Sequence, residues 1–247
     1  MRPILTCLAI AISGAAIAAQ AQRPAETRAV PIDLVCGPTA TLDPPSQAIR
    51  IVSGQERVKT LFAAGDAVIV NAGTAQGLSA GQHFFVRRVV KDSFTVRTSE
   101  KAPRSIHTAG WLTIVEARTD TSIARIAEAC DGIEAGDYLD PLSVTPAVAA
   151  QSAGRPDFSR PAHVILADDR RQLGAGGGSL MVIDRGTDHG VRPGQRLTLF
   201  RPAAEANGPV VTLGEAFVAS SQPETSLIRI QKSREAIQVG DLVAIHR

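Results

Sequence analysis

Residues 68–88 read VIVNAGTAQGLSAGQHFFVRR, and residues 181–201 repeat the pattern as MVIDRGTDHGVRPGQRLTLFR. The two stretches align without a gap at a separation of 113 positions (181 minus 68), with Gly-Thr-x-x-Gly-x-x-x-Gly-Gln in common. A second block follows in each copy, where residues 110–139 (GWLTIVEARTDTSIARIAEACDGIEAGDYL) align with residues 214–243 (GEAFVASSQPETSLIRIQKSREAIQVGDLV). Two long blocks in the same order indicate an internal repeat, and the repeat fixes the architecture.

Each copy of the repeat has the pattern of short strands joined by glycine turns. Glycine permits the positive φ that a sharp turn needs. The turn positions shared by the two copies are Gly73, Gly77, Gly81, Gly136 and Asp137 in the first and Gly186, Gly190, Gly194, Gly240 and Asp241 in the second. Because no segment is a convincing amphipathic helix, we predict an all-β protein with two tandem small β-barrels.

The repeat and the composition around it predict the domain boundaries. Residues 1–21 are a signal peptide, 22–47 an extended arm, 48–140 the first β-barrel repeat, 141–161 a Pro/Ala-rich linker and 162–247 the second β-barrel repeat. Between the two aligned blocks the copies differ in length, with residues 91–108 against 202–213. A segment that tolerates a length change is expected to be a surface loop.

The N-terminus has the pattern of an export signal. Arg2 supplies positive charge, residues 4–19 are an uncharged apolar run, and Ala19 and Ala21 are small residues before a predicted cleavage site after Ala21. We therefore expect an exported periplasmic or cell-envelope protein with no membrane span in the mature chain. Retention of the apolar run as an N-terminal anchor is the alternative.

Cleavage of the signal would remove Cys7 and leave two cysteines, Cys36 and Cys130. An even number of cysteines in an oxidising compartment predicts a disulfide between them. The position equivalent to Cys130 in the second copy is Arg234, so the bridge would tie the arm to the first repeat only. Two separate buried thiols are the alternative.

Composition limits the classes of partner. Only 4% of the residues are aromatic, with one Trp and one Tyr, which leaves little material for platforms that stack nucleic-acid bases. The net charge is +2 and no long basic run is present, so we expect no nucleic-acid partner.

No residue pattern predicts a cofactor, a metal or a catalytic site. The five histidines have no metal-ligand spacing, and the Gly-rich residues 174–178 lack the Lys-Ser/Thr and the helix of a phosphate-binding loop. Asp120 and Glu224, each followed by Thr-Ser, resemble the paired carboxylates of aspartic proteases, but both copies lack the glycine of that motif. A turn that enters a strand is the better interpretation, and we expect a protein that is not an enzyme.

Arg125 and Arg229 occupy the same position in the two copies, inside strands with apolar neighbours. The closing Gly-Asp pair of each repeat also recurs. We predict structural ion pairs between Arg125 and Asp137 and between Arg229 and Asp241, which would join the last two strands of each barrel.

The repeated unit Gly-x-x-x-Gly-(Leu/Val)-x-x-Gly-Gln, closing with Ile-x-x-Gly-Asp, resembles the C-terminal β-barrel module of flagellar assembly protein T. It is also similar to repeat modules of exported bacterial envelope proteins, some of which carry peptidoglycan-binding LysM domains. The resemblance covers most of residues 48–247 and rests on turn glycines and strand patterns, so it implies the fold. The N-terminal and middle domains of the flagellar protein have no counterpart here.

The function predicted from these observations is a non-enzymatic interaction or assembly module of the periplasm or cell envelope. Its partner would be an envelope protein or a peptidoglycan-associated protein, bound at an exposed apolar patch near residues 91–108 or at an unpaired strand edge. The alternative is binding of a cell-wall glycan or small ligand in a groove between the barrels, in a cleft containing Trp111 or Tyr138. An aspartic-protease-like enzyme is the third possibility.

Overall fold

The computed structural model describes residues 32–43, 45–56, 58–90, 104–143, 149–150, 154–167, 174–203 and 209–247. The signal peptide (1–21) and residues 22–31 of the arm lie outside the described residues. So do residues 91–103 of the surface loop and residues 144–148 and 151–153 of the linker. The regular secondary structure of the described residues consists of β-strands apart from one helical turn and two short 3-10 turns.

The described residues of the arm (32–43 and 45–47) contain one helical turn and one short strand, so this part of the arm is less uniformly extended than we expected. The first repeat forms an antiparallel sheet, called the first sheet below. The elements of this part are α1 (Ile32–Val35), β1 (Thr39–Thr41), β2 (Ile51–Gly54), β3 (Leu61–Phe62), β4 (Ala67–Val70), β5 (His83–Val90), β6 (Arg104–Ala117), β7 (Ser122–Ala129), β8 (Ile133–Glu134) and β9 (Tyr138–Pro141).

The strand order of the first sheet is β2-β4-β7-β6-β5-β9, with β1 of the arm added to β6. An isolated bridge joins Arg50 to Tyr138, and the backbone N–H of Ile51 donates to the carbonyl of Asp137 at 2.9 Å. The backbone therefore connects the two ends of this strand order. The pair β3-β8 lies outside it as a separate two-stranded sheet.

The second repeat forms a closed antiparallel barrel in the order β10-β12-β15-β14-β13-β17, with a separate pair β11-β16. Its strands are β10 (Pro156–Ala167), β11 (Gly174–Ala175), β12 (Leu180–Ile183), β13 (Arg196–Pro202), β14 (Val210–Ser221), β15 (Ser226–Ser233), β16 (Ile237–Gln238) and β17 (Leu242–His246). The predicted all-β class is confirmed, and so is the barrel of the second repeat. The order of equivalent strands is the same in both repeats.

Each repeat has its own aliphatic core. Phe84, Val86 and Leu112 lie in the core of the first, and their equivalents Leu197, Leu199 and Ala216 lie in the core of the second. A third buried cluster covers the outer face of the barrel and includes residues of the arm. Burial of this apolar surface stabilises the fold at about 25 cal/mol per Å².

The shared glycines lie at turns where a side chain would be strained. Gly73 precedes a short 3-10 turn, Thr74–Gln76, and a Cβ at Gly73 would lie 2.0 Å from the carbonyl oxygen of Arg118. Gly186 has the same tight approach in the second copy, with an oxygen 2.1 Å away. The other shared glycines have positive φ, with 83°, 88° and 98° at Gly77, Gly81 and Gly136 and 77°, 84° and 101° at Gly190, Gly194 and Gly240.

The segment after β5 differs from the expected surface loop. Arg104–Thr108 belongs to β6, which continues the hairpin ladder with β5 back to the pair Val90–Ser105. The aligned block begins at Gly110, but β6 begins before that residue. Its ladder with β5 continues there after a register shift between Val86 and Arg87. Repeat alignment alone therefore placed the start of this strand six residues late (110 minus 104).

Candidate functional site

The arm extends the first sheet. Its strand β1 pairs antiparallel with β6, with Thr39 opposite Ile106 and Thr41 opposite Arg104. The hydroxyl of Thr39 also donates to the carbonyl of Ile106 at 3.2 Å. These bonds complete the edge of β6 beyond the point where its pairing with β7 ends, at Gly110.

The same arm covers the outer face of the barrel. Ala40 is buried there, and Leu34 packs against the cluster formed by Ile165, Leu166, Leu180, Val182, Ala219 and Leu227. Two polar contacts accompany this packing. The hydroxyl of Thr225 donates to the carbonyl of Ala40 at 2.7 Å, and the backbone N–H of Leu42 donates to Glu224 Oε2 at 3.2 Å. The arm therefore contacts both repeats within a few residues.

The predicted disulfide between Cys36 and Cys130 is present, with the two Cα atoms 5.6 Å apart. Cys130 directly follows β7, so the bridge anchors the arm between α1 and β1 to the first sheet. A cavity of about 260 Å³ lies beside the disulfide, between the arm, β6 and the end of β10. On its wall His107 Nε2 lies 3.2 Å from Asp131 Oδ2.

The carboxylates of the closing Gly-Asp pairs have different partners from those we expected. Arg88 Nε and Nη2 donate to the two carboxylate oxygens of Asp137 at 2.7 and 2.8 Å. Arg201 makes the same two bonds to Asp241 at 2.7 and 2.8 Å. The prediction for Arg125 and Arg229 is corrected accordingly, and Arg125 Nη1 instead donates to the carbonyl of Gly65 at 2.9 Å.

These two ion pairs hold a strand against the turn that precedes the last strand. Each carboxylate also accepts a backbone N–H, from Glu134 at 2.9 Å in the first copy and Gln238 at 2.7 Å in the second. The hydrogen bonds that Arg88 donates to Asp137 raise the pKa of Arg88 above its ordinary value, and burial opposes this only in part. Bidentate contacts of this kind are the stronger class of charged hydrogen bond.

Sequence reasoning missed Arg88 and Arg201, although a signal was available. They are the last residues of the first aligned block, at the same separation of 113 positions (201 minus 88). The sequence pattern favoured Arg125 and Arg229 because they stand among apolar residues. Arg125 faces outward on β7, opposite Ala67 on one side and Thr113 on the other.

A groove lies on the first sheet beside Gly54, Lys59 and Phe62. Two overlapping cavities of about 340 and 430 Å³ share Gly54, Lys59 and Phe62. Lys59 Nζ lies 2.6 Å from Asp66 Oδ2, and their hydrogen bond raises the pKa of Lys59 and lowers that of Asp66. Both groups are thus held in their charged forms and neutralise each other, which is not the arrangement of an acid–base pair.

Asp120 and Glu224, the two carboxylates considered for catalysis, belong to different repeats. Glu224 contacts the arm, and no hydrogen bond joins it to Asp120 within the described ranges. Among the residues that the structure describes, no group of three or more His, Cys, Asp and Glu could hold a metal ion. No helix in the same residues is long and apolar enough to cross a membrane.

The two aromatic residues named for glycan binding lie on the first sheet. Tyr138 is buried, its hydroxyl has no hydrogen-bond partner among the residues that the structure describes, and burial raises its pKa to about 12. Trp111 is half-buried opposite Phe85. Neither residue lines the three cavities described above.

No protein-family model matches the chain, and no curated protein matches it.

Proposed function

We propose that the protein is a non-enzymatic interaction or assembly module of the periplasm or cell envelope. In this proposal its two repeats are held together by the N-terminal arm. The observation that carries the proposal is the double role of residues 39–42. Residues 39–41 form a strand on β6. The carbonyl of Ala40 accepts from the hydroxyl of Thr225, and the N–H of Leu42 donates to the carboxylate of Glu224 in the barrel. A fixed arrangement of two repeats is what a scaffold needs to present one binding surface.

We further propose that the first sheet is a barrel of the same kind as the second repeat. Two backbone hydrogen bonds support this. Ile51 donates to Asp137 at 2.9 Å, and Gly136 donates to Ile51 at 2.8 Å. The barrel closes with the equivalent bonds, from Val164 to Asp241 at 2.9 Å and from Gly240 to Val164 at 2.8 Å.

Two further observations support an envelope location. The disulfide suits an oxidising compartment, where such bonds persist. The closed antiparallel barrel of the second repeat is the kind of fold that the sequence resemblance to the C-terminal module of flagellar assembly protein T implies.

Cross-linking in intact cells tests the proposal. A photo-reactive amino acid would be placed at exposed positions of both repeats, namely Val115, Phe158 and Val210. Position 219 is the matched control, because it is equivalent to 115 but buried beneath the arm. We expect at least one exposed position to yield a cross-link to a specific envelope protein. Position 219 should give only cross-links within the chain. Failure of all three positions, with co-sedimentation of the protein with peptidoglycan, would contradict the proposal and favour glycan binding.

A further inference from the structure

The outer face of each repeat carries an apolar stripe across four neighbouring strands. In the barrel, β12 places Val182 opposite Leu227 of β15. Ile165 and Ala219 stand beside them at register shifts of the adjoining strands. These four residues are called the barrel stripe below.

The first sheet repeats this arrangement. Ile69 of β4 lies opposite Ile123 of β7, and Val52 and Val115 stand at the matching register shifts of β2 and β6. The separations are the two of the sequence repeat, 113 for Ile69 and Val182 (182 minus 69) and 104 for Val115 and Ala219 (219 minus 115). These four residues are called the first-sheet stripe.

The two stripes differ in what covers them. In the barrel stripe Ile165 is 2% exposed and Ala219 is 6% exposed, because Leu34 and Ala40 of the arm pack on them. In the first-sheet stripe Val52 is 50% exposed and Val115 is 52% exposed. Contiguous exposed apolar residues of this kind mark interaction surfaces more often than isolated ones do.

The polar contacts of the arm also have counterparts beside the first-sheet stripe. Thr225 and Glu224, which bind the backbone of Ala40 and Leu42, are equivalent to Thr121 and Asp120 (225 minus 121 and 224 minus 120 are both 104). Thr121 and Asp120 are both exposed. The first repeat thus keeps the apolar stripe, the hydroxyl donor and the carboxylate acceptor of a surface that is occupied in the second repeat.

We propose that the first-sheet stripe binds a short aliphatic peptide segment of another protein, in the way the barrel stripe binds the arm. This inference rests on the proposed function and names its surface. The segment would place an aliphatic side chain where Leu34 lies and a small one where Ala40 lies. The backbone carbonyl of that small residue would accept a hydrogen bond from the Thr121 hydroxyl. The backbone N–H two residues further along would donate to the carboxylate of Asp120. Main-chain bonds combined with apolar pockets are a common mode of peptide recognition.

A peptide segment fits this surface better than a second copy of the stripe does. Two stripes packed face to face would bury Val52 and Val115, but would offer no free backbone groups to Thr121 and Asp120. The arm of a second copy is also already committed, because Cys36 is bonded to Cys130 of its own chain.

A binding experiment with the oxidised full-length protein tests the inference. The probe is a fluorescent peptide of residues 32–43 with Cys36 replaced by Ser, so that it cannot exchange with the disulfide. We expect saturable one-to-one binding by fluorescence anisotropy. Val115→Asp should weaken it at least about tenfold, because a charge would be buried in the stripe. Val210→Asp is the matched control, since Val210 is equally exposed but lies outside the stripe. Thr121→Val should weaken binding by removing the hydroxyl donor.

The outcomes separate this inference from the proposed function. No saturable binding up to about 1 mM peptide would overturn the inference, as would binding that Val115→Asp leaves unchanged. A wild-type dimer in sedimentation that Val115→Asp converts to a monomer would assign the stripe to a second copy and also overturn it. Circular dichroism and thermal unfolding of Val115→Asp confirm that the variant is folded. If the inference fails while Phe158 or Val210 still cross-links to a partner, the proposed function stands without it.

Discussion

Removal of the disulfide gives the most quantitative test of how the arm is held. The variant Cys36→Ser/Cys130→Ser is compared with a Cys7→Ser background, in which no third thiol can exchange. The bridge closes a loop with a sequence separation of 94 residues, which encloses most of the first repeat. In the chain-entropy model a loop of this length destabilises the unfolded state by about 4.6 kcal/mol at 25 °C.

We therefore expect the free energy of unfolding to fall by about 4 to 5 kcal/mol, as an upper value, since a compact unfolded state loses less entropy on cross-linking. Urea unfolding followed by the fluorescence of Trp111 measures it. Trp111 is the one Trp of the chain and lies on β6, inside the closed loop. The free energy of unfolding should also depend more steeply on the urea concentration in the variant, because the unfolded chain exposes more surface without the bridge.

Coincident unfolding midpoints for the variant and its background would refute this reasoning. They would show that the bridge does not reduce the entropy of the unfolded chain by the amount that the loop length predicts. Treatment of the background protein with a reducing agent provides an independent comparison, since it opens the same loop without a substitution.

The remaining predictions concern the turns, the ion pairs and a buried phenol. Asp241→Ala should lower the free energy of unfolding by about 2 to 4 kcal/mol in urea unfolding, because it removes both bonds to Arg201; an unchanged midpoint would exclude the ion pair as a stabilising contact. Gly186→Ala should cost more than about 3 kcal/mol, since its Cβ would lie 2.1 Å from a carbonyl oxygen. Gly177→Ala, where the nearest atom is 3.5 Å away, should change stability little, and equal effects of the two substitutions would contradict the close approach. Tyr138→Phe should alter the pH dependence of the melting temperature. The pKa of Tyr138 is raised from 10.0 to about 12, so the folded state favours the neutral phenol, and that stability is complete below pH 10 and lost as pH rises to 12. The variant should lose less stability over this range, and parallel curves for both proteins would show that the phenol does not titrate there.

Much of the fold was predictable because the repeat supplies two versions of each strand. The ambiguous residues 123–130 have helical propensity, but the matching Leu227–Ile230 alternates and is β-branched, and both segments are strands, β7 and β15. The two-residue strands β3 and β8 were not predicted. Strands of that length have no periodicity to recognise, and only tertiary contact reveals them.

The ion pairs show where sequence reasoning reaches its limit. The repeat identified Asp137 and Asp241 as shared, but the choice of partner depends on which side of a strand faces the turn. Arg88 follows a register shift between Val86 and Arg87 in the ladder with β6. Because a register shift changes which residues share a face, alternation along the strand does not predict the direction of Arg88.

The candidate site was less predictable than the fold for a related reason. The sequence predicts that Thr121 and Thr225, which follow Asp120 and Glu224, belong to turns that enter a strand. In the structure Thr225 binds the arm, which lies 185 positions away in sequence from it at Ala40. No sequence pattern within either repeat predicts a contact with the arm, which lies outside both repeats. The sequence does show which positions of the two repeats are equivalent, and this equivalence identifies the exposed first-sheet stripe.

The position of the arm in the chain has a consequence for the order of assembly. Cys36 can meet Cys130 once the first repeat has entered an oxidising compartment, whereas Thr225 and Leu227 follow Cys130 by 95 and 97 positions (225 minus 130 and 227 minus 130). During that interval Leu34 and Ala40 have no barrel to cover, and the barrel of another molecule would fit them equally well. Exchange between chains at such contacts is a common route to misassembly. A disulfide formed early keeps the arm beside its own β6, so the barrel that arrives first is the one on the same chain.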